Sequence, residues 1–69
     1  MFNYALFEYE MKIRKITKDD MCSALKISRS AFYRKCNGIS EFTQSEMQTI
    51  GELLGNDTVI RIFFDVKVS

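Results

Sequence analysis

Apolar residues recur along this chain every three or four positions, and residues that start or stop helices stand between the resulting stretches. Tyr4, Leu6, Phe7 and Met11 share one face of a segment running from Asn3 to about Lys15, with Asn3 as its cap. A second segment opens at Thr17-Lys18-Asp19-Asp20, a capping hydroxyl ahead of two acids that favour a helix N-terminus. Met21, Cys22 and Leu25 form its apolar face. It must be short, because Ile27-Ser28 opens another helix. That third segment runs from the cap at Ser28 to Asn37, and Gly38 supplies a left-handed stop. Phe32 and Cys36, four apart, share its inner face, while Arg29, Ser30, Tyr33 and Arg34 lie on the other side. Thr43-Gln44-Ser45-Glu46 fits a capping box for a fourth helix, with Met47, Ile50, Leu53 and Leu54 inward and Gly55 at its end.

After Gly55 the pattern supports two readings. Asn56-Asp57 can cap a fifth short helix that turns Val59, Ile60, Phe63 and Phe64 inward. Ile60, Ile62, Phe64, Val66 and Val68 also alternate with the period of a strand. The helix, to about Phe63 with a short extended C-terminal tail after it, is the favoured reading. The pattern as a whole predicts an all-α fold, a compact five-helix bundle.

With 69 residues the chain forms one domain, residues 1–69, with a modest core. Hydrophobic residues make up 46%, too many for a disordered tail. Apolar runs are only a few residues long, so no membrane span and no membrane partner are expected. The first residues lack a basic stretch and a long apolar run, which argues against a secretory signal. Cys22 and Cys36 are one pair, not a disulfide framework, and both read as core residues in a reducing cytoplasm. Histidine is absent. No metal site, cofactor or catalytic base is expected, and no glycine-rich phosphate loop occurs. The chain reads as a non-enzyme.

Net charge is +1, but it is unevenly placed. Between Met11 and Gly38 stand eight basic residues against two acidic ones, a net of +6; the remainder carries two basic against seven acidic residues, a net of −5. A basic middle between acidic ends suggests one surface that faces an anion. Lys12, Arg14 and Lys15 either extend that field or face water. Thr17 to Gly38 holds two short helices around a tight turn, the arrangement of a helix-turn-helix. Such a motif needs a second helix that is apolar behind and polar in front, so that it can enter a major groove about 12 Å wide.

This stretch resembles the helix-turn-helix of the Cro/repressor (XRE) family. The resemblance lies in the frame Leu25-x-Ile27-Ser28-x-Ser30-x-Phe32-x-x-Lys35-x-Asn37-Gly38 and in the later Phe42-Thr43-x-x-Glu46-Met47. The end, Phe63-Phe64-x-x-Lys67-Val68-Ser69, is similar to that of small phage-encoded Cro-like regulators. Three features depart from the family pattern. Cys22 stands where the family usually has alanine. Lys26 stands at a turn position that often holds glycine and prefers positive φ. Met11 and Cys36 match the places of a buried Arg–Glu pair found in some phage repressors, so an apolar contact is expected in its stead.

The resemblance implies a sequence-specific transcriptional regulator on double-stranded operator DNA. Arg29, Ser30, Tyr33 and Arg34 would read bases; Lys18, Ser28, Lys35, Asn37, Ser40 and Thr43 would contact phosphates. For the first four the plain alternative is a solvated helix face, and for Ser40 and Thr43 a capping role. Phe32 reads as core. One small domain offers few phosphate contacts, and non-specific affinity alone would give a Kd on the order of 10⁻⁴–10⁻⁶ M. A homodimer on a two-fold site is therefore expected, with the end around Ile60–Val68 as its candidate interface. The second function in view is an antirepressor-like module that binds a partner repressor.

Overall fold

The computed structural model describes residues 2–64. Five helices follow one another: α1 (Tyr4–Ile13), α2 (Lys18–Leu25), α3 (Arg29–Cys36), α4 (Gln44–Leu54) and α5 (Asn56–Phe64). No strand occurs among the described residues. The fold is an all-α bundle in which α4 packs on α5, α1 on α5, and α2 on both α3 and α4.

The starts of the first four helices are each fixed by a short side chain. Asn3 accepts from the Leu6 N–H, Ser28 from the Ala31 N–H, and Thr17 and Thr43 each complete a reciprocal capping box, with Asp20 and Glu46 respectively. The helix ends follow an equally local rule. At the end of α1 the Lys15 N–H donates to Lys12 and the Ile16 N–H to Met11; at the end of α2 the Lys26 N–H donates to Ser23 and the Ile27 N–H to Cys22. Both are Schellman closures, and both put a lysine in the left-handed region, Lys15 at φ 58° and Lys26 at φ 59°. Ile16 and Ile27 then pack on the core. The next residue in each case is the cap of the following helix. The junctions Lys15-Ile16-Thr17-Lys18 and Lys26-Ile27-Ser28-Arg29 are thus the same device used twice. The positive φ expected at Lys26 is present. The first helix stops at Ile13, two residues short of Lys15, because that left-handed residue ends it.

The α3 end repeats the closure with Gly38 at φ 79°, the Ile39 N–H donating to Arg34. Here the residue after the left-handed one does not pack inward, and Ile39 is 73% exposed. Gly55, at φ 97°, lets α5 begin one residue after α4 ends.

The core gathers Phe7 and Met11 of α1, Met21, Cys22 and Leu25 of α2, Phe32 and Cys36 of α3, Phe42, Ile50 and Leu54 around α4, and Ile62 and Phe63 of α5. Phe2 closes it, its ring 5.5 Å from Phe7 and 5.2 Å from both Phe42 and Phe63. The Asn3 N–H donates to the Ile62 carbonyl at 2.7 Å, tying the start of the chain to α5.

The fifth helix is present, so the alternating strand reading of 60–64 does not hold. Its inner face differs from the expected one. Thr58, Ile62 and Phe63 are buried, Val59 is half-buried, and Ile60 and Phe64 are exposed. On a helix Ile60 and Phe64 are one turn apart and lie away from Ile62. The expected extended tail falls on residues 65–69, outside the described residues.

Candidate nucleic-acid interface

A helix can meet a partner only if its back is held. Phe32 is wholly buried and Cys36 nearly so, and they fix the inner face of α3. Phe32 packs 6.0 Å from Phe7 of α1, which sets α3 against the core as well as against α2. Burial pushes the Cys36 thiol up to about 11 and also raises that of Cys22, so both remain neutral core groups with free thiols. Met11 and Cys36 are both buried in the one apolar core cluster.

The outer face of α3 carries Arg29, Ser30, Tyr33 and Arg34, all exposed. The sequence grouped these four, and the fold brings them together beside the start of α2. Their charges are not all free. Arg29 donates from one terminal nitrogen to Asp19 Oδ1 at 2.7 Å and from the other to the Tyr33 hydroxyl at 3.3 Å. The Tyr33 and Asp19 oxygens hold its pKa above the usual arginine range. Lys18, the first residue of α2, pairs with Glu8 of α1 at 3.4 Å. The Tyr4 hydroxyl, then Glu8, raise its pKa. Both cations lie over the Tyr33 ring, Lys18 at 5.6 Å and Arg29 at 5.8 Å from its centroid. Arg34 makes no ion pair among the described residues. Its backbone carbonyl accepts from Ile39 and Ser40.

The residues expected at phosphates are placed less uniformly. The Ser28 Oγ spends a lone pair on the Ala31 N–H and keeps its O–H free to donate outward. Asn37 is the exposed C-cap of α3. Ser40 is half-buried in the loop to α4. Thr43 caps α4 and shares a hydrogen bond with Ser45. Lys35 turns away from the outer face. Its ammonium sits 2.8 Å from Glu46 Oε1, donates to the Glu41 carbonyl at 3.2 Å, and lies 5.8 Å from the Phe42 ring centre. With 13% of its side chain exposed, it works as a strut between α3 and α4. Its place in the sequence frame is explained by the fold without any DNA.

Arg14 does something similar. It pairs with the buried Glu10 and donates to the Leu54 carbonyl at 3.0 Å, joining the end of α1 to the end of α4. The roles of Glu8, Asp19 and Tyr4 were not legible in sequence. Asp19 and Arg29 are ten residues apart, as are Glu8 and Lys18, and no local spacing rule reports such pairs.

An open groove of about 480 Å³ runs between α1 and the start of α2, lined by Ala5, Glu8, Tyr9, Lys12, Ile16 and Lys18. No group of three or more His, Cys, Asp or Glu able to hold a metal occurs among the described residues. No helix among them is long and apolar enough to cross a membrane. No family model, curated protein or solved structure matches this chain.

Proposed function

We propose that this protein is a sequence-specific DNA-binding regulator of the Cro/repressor kind, working in the cytoplasm by occupying an operator. One observation carries the reading. Two eight-residue helices are joined by a three-residue turn, and the second is anchored by Phe32 and Cys36 while it presents Arg29, Ser30, Tyr33 and Arg34 outward. Arg29 and Arg34 are suited to the O6 and N7 edge of guanine. Tyr33 offers a ring edge to a thymine methyl and holds Arg29 through its hydroxyl. Lys18 and the Ser28 hydroxyl lie at the starts of α2 and α3, where phosphate contacts set the register. Lys35 is left out of the phosphate contacts, being spent on Glu46.

The test is selection of bound duplexes from a random pool with the wild type, Arg29→Ala and Arg34→Ala. Each substitution should relax the preference at one or two base pairs, by roughly 1–3 kcal/mol per lost contact. Unchanged preference in both variants would remove these arginines from the reading face.

A second reading draws on the two ion pairs. Lys18–Glu8 and Arg29–Asp19 leave much of this face neutral, which suits a module that docks on a partner repressor rather than on DNA. Titration with random and selected duplexes at low salt separates the two. No binding to either would favour the protein partner.

A further inference from the structure

We propose that Glu8 and Asp19 are specificity-determining residues of this face: in the unbound protein each already holds a cation that DNA needs, so DNA gains Lys18 and Arg29 only by displacing a carboxylate. The inference rests on the DNA-binding reading above.

The argument starts from the repeated junction. Each helix-to-helix connection, Lys15-Ile16-Thr17-Lys18 and Lys26-Ile27-Ser28-Arg29, places a cation at the first position of the next helix. Each of those cations meets one carboxylate from another element. Lys18 of α2 meets Glu8 of α1 at 3.4 Å, and Arg29 of α3 meets Asp19 of α2 at 2.7 Å. Tyr33 meets both cations, its ring near each and its hydroxyl on Arg29. The carboxylate side chains are 52% and 73% exposed. Ion pairs this open to water are weak and exchange partners readily. Arg34, with no ion pair among the described residues, is an ungated cation of the face.

The consequence is discrimination. An arbitrary run of phosphates offers each cation only what a carboxylate already supplies, and it must also approach two negative side chains. A site that gives Arg29 a base edge and Lys18 a phosphate together displaces both carboxylates for contacts they cannot match. Random DNA is thus penalised more than the right site. The competing view is that Asp19 merely holds the guanidinium plane for the base. It predicts the opposite sign, since removing Asp19 would then weaken binding.

The experiment compares Glu8→Gln with Asp19→Asn, as a double variant, against Glu52→Gln with Asp57→Asn. The control changes net charge equally at exposed positions of α4 and α5. Melting curves by circular dichroism check that both stay folded. Affinity for a random duplex and for the selected site is measured at several salt concentrations, and retention is measured on immobilised heparin.

The first variant should bind random duplex more tightly, with a salt slope steeper by roughly one to two, as for up to two further phosphate contacts. Its preference for the selected site should fall several-fold, while the control keeps that preference. Equal shifts in both variants, or weaker binding of the first to the selected site, would overturn the proposal. If no form binds duplex at low salt, the DNA reading falls. In that case heparin decides the inference: later elution of the first variant than of the control upholds carboxylate competition as a general anion filter, and co-elution ends it.

Discussion

Lys15 and Lys26 occupy backbone positions that glycine fills without strain, and each carries a side chain there at a cost. A non-glycine residue in the left-handed region is disfavoured by about 1–2 kcal/mol, partly offset by the greater entropy that glycine loses on folding. Lys15→Gly and Lys26→Gly should therefore each stabilise the protein by up to about 1 kcal/mol, read as a higher denaturant midpoint with an unchanged slope. Unchanged midpoints would mean that the lysine side chains recover the strain through contacts of their own. Lys26 stands two residues before the Ser28 cap, at the edge of the proposed face.

At the scale of elements, α3 and α4 are clasped by one carboxylate. Glu46 accepts from the Thr43 N–H and from Lys35, both at 2.8 Å, while its own N–H caps on Thr43. Burial pushes its carboxyl up, but the Lys35 ammonium and the Thr43 hydrogen bonds outweigh this and hold it below the ordinary glutamate value. A carboxyl whose folded pKa is depressed adds stability above its unfolded pKa and loses it as pH falls through the folded value. Glu46→Ala should cost about 2 kcal/mol at neutral pH, the scale of hydrogen bonds to a charged group. That cost should shrink below about pH 4, as the wild type protonates the same group. Denaturant titrations at pH 7 and pH 3 check it, and a pH-independent difference would show that packing, not charge, is what was lost.

Most of this scale was legible in sequence. Caps at Asn3, Thr17, Ser28 and Thr43 and stops at Gly38 and Gly55 act within four residues, so spacing alone reports them. What could not be read was what closes in space. Lys35 and Glu46 are eleven residues apart and Arg14 and Leu54 forty, so two residues of the basic middle proved to be struts. The inward face of α5 was misread for a related reason. Its apolar residues spread over a little more than half of the helix, and packing against α1 and α4 selects the Ile62 edge of that arc and leaves Ile60 and Phe64, at the other edge, outside.

For the whole molecule, those two side chains set what a second copy could use. Ile60 is 43% and Phe64 60% exposed, one turn apart on α5, and Leu53 on the neighbouring α4 is 38% exposed. A stable interface of ordinary size buries roughly 800 Å² per partner. That is about one-sixth of this protein's 4812 Å² surface, much more than three part-exposed side chains supply. We therefore propose a dimer that is weak in free solution and assembles on a two-fold operator, where DNA holds the copies one helical turn apart. Sedimentation equilibrium at micromolar concentration should find the free protein largely monomeric, and two copies on the selected duplex. Ile60→Ser with Phe64→Ser changes two part-exposed side chains outside the core cluster, so the protein should stay folded with only a modest drop in melting temperature. Cooperative binding to the full site should fall toward independent binding of two half-sites. Cooperativity that survives this double variant would move the contact elsewhere, with Tyr9 and Ile13 on α1 the next exposed apolar pair. A single copy bound to a site without two-fold symmetry would remove the dimer from the proposal altogether.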